Sequence, residues 1–428
     1  MSFSTLNKVF WLALVLHPSC YAEFTPVNSV KQSTERSVTV SLRLGIKQRA
    51  VFMHSFSDFT NKTGIKVKLV TYQSKYQQDT KIISALSGDN PPDIINWGAG
   101  HRLHSLVEQD LVLPITQLWN DEHYNVAFPQ FKSLLSYKND IYAIPYSYYG
   151  WGLYYNKDIV NRYGGKPNNW QEFLDICSKI SFDGITPIAL GIKRQWPVAA
   201  WFDYLNLRIN GLAFHRLLLA GAIAYTDDRV QQVFIEWQKL ITNKYYTPNA
   251  KEYDWDDMFP NLFWQKSAFY LLGNFVLTRF GEQVLINKNI AYMAFPKIND
   301  LPAFEEAPTE IFLIAKNSKN KVAAKQFIKY FSQPDAQVKL SRSLGALSPH
   351  QEAVHNNHPL LKESEEVLKK AQGLSQYFDR DTEPLFEQAA LPHFVNFIDD
   401  GDIEKLTKAL EKHRLTIFSQ HKTQELLN

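Results

Sequence analysis

From Asp140 to Leu153 the chain reads DIYAIPYSYYGWGL, a strand-like run that passes Pro145 and spills into Tyr146, Tyr148, Tyr149 and Trp151. Side chains alternate on an extended backbone, so these rings divide between two faces. One set, Tyr149 and Trp151 or else Tyr148, lines an open surface while the other packs inward. A second group, WPVAAWFDY, sets Trp196, Trp201 and Asp203 at the start of a helix, where Trp201 is either a stacking ring or a buried helix residue. Gly273-Asn274-Phe275 closes a strand and offers an amide that both donates and accepts. Trp97 stands in Asn96-Trp97-Gly98-Ala99-Gly100, after a strand and before a helix, either as a ligand-facing loop or as a tight turn. Glu310 and Arg380 are further polar candidates. Ring faces stack on the C–H faces of a sugar, and amides and carboxylates bond its hydroxyls. The chemistry these residues suit is capture of a small, partly apolar ring compound.

Other chemistries find less support. The glycine loop fails as a dinucleotide fingerprint because Leu103 stands where the third glycine belongs. His101 with His104, and His355 with His358, have i, i+3 spacing but no third ligand nearby in sequence. The adjacent acids Asp256-Asp257, Glu305-Glu306 and Asp399-Asp400 point apart, whereas glycoside hydrolysis needs two carboxyls facing each other across a bond. No GxSxG elbow and no HExxH occurs. The reading is a binding protein with no cofactor, no metal and no catalytic residues.

The elements that position these side chains follow an α/β order. Val38 to Ile46 alternates as VTVSLRLGI, a strand pattern; Phe52, Phe56 and Phe59 then give a helix ending at Gly64, and IKVKLV is the next strand. The unit repeats through Lys81 to Leu113, with helical spacing at Ile82, Ile83 and Leu86, a breaker at Gly88 to Pro92, and a buried strand from Asp93. Strand, helix, strand at this spacing predicts parallel pairing. From Tyr154 to Ile286 helices dominate, predicted over 170–180, 198–210, 229–243 and 258–266, with strand pieces at 187–190 and 268–272. Strands return as IAYMAFPKI and EIFLIAK, followed by a helix over 321–332 whose Ala323, Ala324, Phe327, Ile328 and Phe331 form one stripe. The tail from Pro349 is mostly helical.

At 428 residues, 45% apolar and 21% charged, the chain is globular and long enough for two or more domains. Its start has Lys8, the apolar run Val9 to Leu16 and then Cys20-Tyr21-Ala22, which reads as a signal peptide over 1–22, followed by a polar leader over 23–37. His17 and Pro18 do not suit a lipobox at Cys20. Cleavage leaves Cys177 alone, so no intramolecular disulfide forms. The net charge of +3 includes Lys8, no basic stripe with interleaved aromatics is present, and nucleic acid is an improbable partner.

With these residues in view, the chain resembles the extracellular solute-binding proteins of family 1, the carbohydrate-binding components of bacterial ABC importers. The resemblance rests on SGDNPPDII, LVEQDLVLPI, YAIPYSYYGWGLYYNKDIV, NNWQEF, TPIALG, INGLAF, TDDRVQQVFIEWQKLI, WQKSAFYLLGNF and IAKNSKNKVAAKQFIKYFSQPDAQ ending at GALSPH, in that order over nearly the whole mature chain. It implies an α/β, periplasmic binding protein-like fold: two lobes with a hinge and an interlobe ligand cleft, lobe 1 from 38–145 with 289–345 and lobe 2 from 146–288 with 346–428. It also implies that Gln48 and Tyr76, on first-lobe loops, reach the ligand. The expected partners are a small carbohydrate and the permease subunits of an inner-membrane ABC importer, with a monomer in the periplasm that closes on its ligand. In WQKSAFYLLGNF the sequence departs from the family: Gln265 replaces a usual glycine, Phe269 or Tyr270 brings bulk, and Asn274 stands where an acid often contacts the sugar. A same-fold receptor for a membrane sensor, a non-sugar ligand such as a polyamine, and a secreted carbohydrate-active enzyme are the alternatives.

Overall fold

A computed structural model describes residues 36–42, 46–71, 75–353 and 359–425. Its strands, in chain order, are β1 (Ser37–Leu42), β2 (Lys66–Thr71), β3 (Ile94–Gly98), β4 (Ser136–Tyr137), β5 (Asp140–Ile141), β6 (Ala143–Tyr148), β7 (Trp151–Asn156), β8 (Thr186–Ile188), β9 (Ser267–Gly273), β10 (Ile290–Met293), β11 (Phe304–Glu306), β12 (Thr309–Ile314) and β13 (Gly373–Ser375).

Two sheets organise the molecule. The first has the order β2-β1-β3-β12-β6, and the alternating run at Val38, Val40 and Leu42 turns its apolar set inward as expected. Strands β1, β2 and β3 are parallel, while β12 enters antiparallel between β3 and β6. The second sheet has the order β10-β7-β9-β8. Each sheet has its own core. Around the first, Phe56 and Phe59 from the helix Ile46–Thr63 meet Phe327 and Phe331 from the helix Lys321–Phe331, while Phe52 meets Tyr146 and Phe312, which stack on each other at 4.2 Å. The stripe predicted for that second helix is buried in full. Around the second sheet, Phe202, Phe234, Trp237, Phe394 and Phe397 interlock from three helices.

Three differences from the sequence reading have physical causes. The strand at Ile290, assigned from sequence to the first lobe, is hydrogen-bonded antiparallel to β7 in the second sheet, since a short apolar strand fits either sheet and its pairing from Ile290 with Asn156 to Met293 with Leu153 decides. The helix expected over 258–266 is broken into Trp255–Met258 and Pro260–Phe263. Proline lacks the N–H an interior turn needs and therefore starts the second piece. The helix expected to end at 210 continues as Ala199–Leu219 through a kink at Gly211, whose φ of 80° is open to glycine at little cost.

Among the described residues, three passages of the chain link the sheets. Tyr149 and Gly150 alone connect β6 to β7. A small parallel ribbon, β11 with β13, lies between the sheets, and its Glu305 is held by Arg208 Nη2 at 2.6 Å. The third link follows Leu347, which exchanges both backbone hydrogen bonds with Tyr148.

Candidate ligand-binding site

Where β6 passes into β7, rings from five separate segments of the chain come together. Trp151 opens β7, and its carbonyl accepts hydrogen bonds from the Tyr204 and Tyr292 hydroxyls, both at 2.6 Å, which fixes the residue in place. Its indole stacks on Tyr377 at 4.5 Å and meets Trp196 and Phe275 edge-on at 5.9 and 5.7 Å. Trp196 lies 6.0 Å from Phe275, and its carbonyl accepts from the Tyr377 hydroxyl at 2.7 Å. Trp255 stands edge-on to Phe275 at 5.2 Å, and Tyr149 approaches the same ring at 6.1 Å. Trp151 is buried, while Trp196, Trp255, Phe275 and Tyr149 are partly open, so the group forms a basket that solvent reaches at four of its residues. Gly273 is required here: a Cβ would come within 2.5 Å of the Phe275 ring.

At the foot of this basket, the backbone N–H of Asn274 donates to Gly150 O at 2.9 Å, tying the end of β9 to the turn before β7. Its side chain is fully buried, and neither Oδ1 nor Nδ2 has a hydrogen-bond partner among the described residues. On the other wall, Glu310 sits on β12 beside Gly98 and Ser147 and is ion-paired with Arg380. Tyr149 lies close enough to this pair that, after burial, the Glu310 charge is the main influence raising its hydroxyl pKa.

Other expected positions have different surroundings. Trp97 donates its indole N–H to Arg102 O at 3.0 Å and belongs to the first core. The loop it begins is a tight turn whose helix start is already occupied: His101 N donates to Asp381 Oδ1 at 2.8 Å, and Gly100, with φ of 76°, leaves no room for a Cβ beside that carboxylate. Tyr148 packs on Phe131 at 5.1 Å and is buried. Trp201 is a core residue between Tyr246 and Phe295, at 5.4 and 5.7 Å. Asp203 is also internal. Its Oδ2 accepts from Phe378 N at 2.8 Å, and burial holds its carboxyl well above the usual range. The helix Ala199–Leu219 is buried all round over its first turns, so no face of it is free for a ligand there. Gln48 and Tyr76 fall in the helices Ile46–Thr63 and Lys75–Leu86, and their side chains lie outside the described residues, as do His355 and His358.

The sequence reading missed Tyr377 and Trp255. Both lie next to residues it singled out, Arg380 and the Asp256-Asp257 pair, but only the tertiary arrangement brings them to Trp151 and Phe275. Among the described residues no group of three or more His, Cys, Asp or Glu is placed to hold a metal, and no helix is long and apolar enough to cross a membrane. Rings flanking an unpartnered amide, with a charged pair opposite, can hold a neutral ring compound by stacking and hydrogen bonds.

Residues 45–338 match the model of the bacterial extracellular solute-binding proteins. The chain belongs to that family. A solved family structure, the bacterial solute receptor AcbH, described as having an exclusive preference for β-D-galactopyranose, is 27% identical, covers 89% of this chain and 100% of its own, and superimposes with a TM-score of 0.80. The maltotriose-binding protein of Pyrococcus abyssi is 21% identical over 81% of this chain and 75% of its own length. An uncharacterized ABC transporter extracellular-binding protein of Pyrococcus horikoshii is 22% identical over 63% of this chain, and the match spans 61% of that relative. The fold of the family is thus two α/β lobes, as the two sheets here display.

Proposed function

We propose that this protein is the carbohydrate receptor of an ABC importer: exported by a signal peptide over 1–22, it captures a sugar in the periplasm and delivers it, unaltered and as a monomer, to permease subunits in the inner membrane. The observation that carries this reading is the basket of Trp151, Trp196, Trp255, Phe275 and Tyr377 next to Asn274, whose buried amide has no partner among the described residues. A pyranose supplies what that amide lacks, a hydroxyl that both accepts and donates, and presents C–H faces to the rings. The name of the Pyrococcus abyssi relative and the description of AcbH point to the same ligand class.

In this reading the two sheets are the bodies that close. Stacking on the second-sheet rings and hydrogen bonds to Glu310 and Arg380 exist together only when both walls meet the sugar, so ligand raises the closed population. In this reading Glu310 serves as a binding group, its carboxylate held in place by Arg380.

The test is titration calorimetry of the purified mature chain with galactose, glucose, maltotriose and a polyamine. Binding of a sugar near the micromolar level, about −8 kcal/mol, supports the proposal. Trp196→Ala, which removes one partly exposed wall, is expected to weaken it by about 5- to 10-fold, the range of an aromatic pair. Binding of the polyamine with no response to any sugar refutes it.

A further inference from the structure

The end of the second sheet farthest from the basket carries a surface with no role in sugar capture. Trp151 pairs with Gly273 at the basket end, and Asn156 pairs with Ile290 at the other, about 17 Å away at the rise of a strand. At that far end Phe182 is 92% exposed and Trp264 60% exposed, with Val284 and Ile286 also open to solvent. These residues share one region. The loop after Phe182 meets the one after Trp264, where Thr186 N donates to Lys266 O and Thr186 pairs with Ser267. Asp158 accepts from Asn289 at 3.0 Å and from Gln265 at 3.5 Å, drawing the segments after Ile286 and Trp264 to the helix Lys157–Arg162.

Charge follows the same surface. Lys157, Arg162, Lys266 and Lys288 are exposed around the rings, and Lys179 lies one turn before Phe182. The acids among them are engaged by neutral donors, Asp158 as above and Asp183 by the Tyr163 hydroxyl at 2.7 Å. The Lys266 ammonium stands 5.3 Å from the Trp264 ring centroid.

We infer that this pole docks on an anionic phospholipid surface, with Phe182 and Trp264 entering the headgroup boundary and the surrounding lysines and arginine meeting lipid phosphates. Isolated ring tips between long cationic stems suit a partner that is apolar below and anionic above. A protein partner would instead need a pocket shaped for each ring. Docking by this pole keeps the receptor at the membrane and leaves the basket, at the opposite end of the strands, free for sugar.

The experiment is co-sedimentation of the full mature chain with vesicles of phosphatidylcholine alone or with phosphatidylglycerol added. Binding to the anionic vesicles only, reversed by high salt, is expected. The double variant Phe182→Ser/Trp264→Ser and, separately, Lys157→Glu/Lys266→Glu should each lower the bound fraction about fivefold while leaving the melting temperature and sugar affinity unchanged, since all four side chains are exposed. Equal partition into both vesicle types, or no response to either double variant, overturns the inference. So does concentration-dependent self-association without lipid that the first variant abolishes, because the occupant would then be a second copy.

Discussion

A buried amide with nothing to bond costs free energy in the empty protein, and among the described residues Asn274 is in that position with both side-chain atoms. The expense is recovered when a guest supplies the missing donor and acceptor. Asn274→Leu, close in volume, therefore separates binding from folding. It should leave the melting temperature of the ligand-free protein unchanged or higher, and weaken sugar binding by about 1–3 kcal/mol, roughly 5- to 150-fold, measured by calorimetry. A variant that binds sugar as tightly as the parent would remove Asn274 from the site. Much of the basket was readable from residues alone. Trp151, Phe275 and Asn274 stand at strand ends, where open α/β sheets present side chains to ligands, and Trp196 precedes a proline-started turn. Tyr377 was not readable, since its stacking on Trp151 spans more than half the chain. Trp201 and Asp203 misled because rings beside an acid look alike in sequence whether they line a cleft or fill a core.

The first turns of the helix Ala199–Leu219, enclosed on every side, show what burial does to polar groups there and at His215. Asn210 donates to Asn206 Oδ1, and Asn206 Nδ2 faces His215 Nδ1 at 2.8 Å, so Nδ1 accepts and Nε2 carries the proton, directed at Asp203 Oδ1 3.7 Å away. Burial pushes His215 down to about 3 and pushes Asp203 and Glu306 up. The signs are opposite. For His215 the unfolded chain binds the extra proton, so this contribution is present above about pH 6.5 and is lost as pH falls towards 3. For Asp203 the folded chain binds it, so stability is lost as pH rises from about 4 towards the raised value. Asp203→Asn keeps the acceptor for Phe378 N and removes the second effect. Thermal unfolding from pH 4 to 8 should show the variant near the parent at pH 4 and increasingly more stable above it; a constant offset across the range would contradict the assignment. Elements with a single apolar stripe, such as Lys321–Phe331, declare their faces in sequence, whereas turns buried on every side, such as the first ones of Ala199–Leu219, have no stripe to read.

For the molecule as a whole, the two sheets meet through Glu310 and Arg380 and through Arg102, whose guanidinium reaches Asp79 at 2.8 Å, Asp379 O at 2.6 Å and Glu387 at 3.4 Å. Removing Glu310 takes away the first-sheet partner of Arg380 and leaves that largely enclosed charge only the longer contact to Asp379, at 3.9 Å, on its own helix. Glu310→Gln is thus expected to weaken the approach of the two walls. Small-angle scattering should give a larger radius of gyration without sugar, and calorimetry about tenfold weaker binding; an unchanged radius together with unchanged affinity would show that the pair does not hold the walls together. The alternating strands and helices of the first half announced an α/β protein in the sequence. The placement of β10 in the second sheet was not announced, because a short apolar strand fits either sheet and pairing decides. The strand order also bears on how the chain is made. The slot between β3 and β6 is filled only by β12, synthesised about 200 residues after β3. At 5–20 residues per second the amino-terminal layer waits about ten seconds or more for its middle strand. In the export proposed above, that interval presents the translocation channel with a thread rather than a finished body.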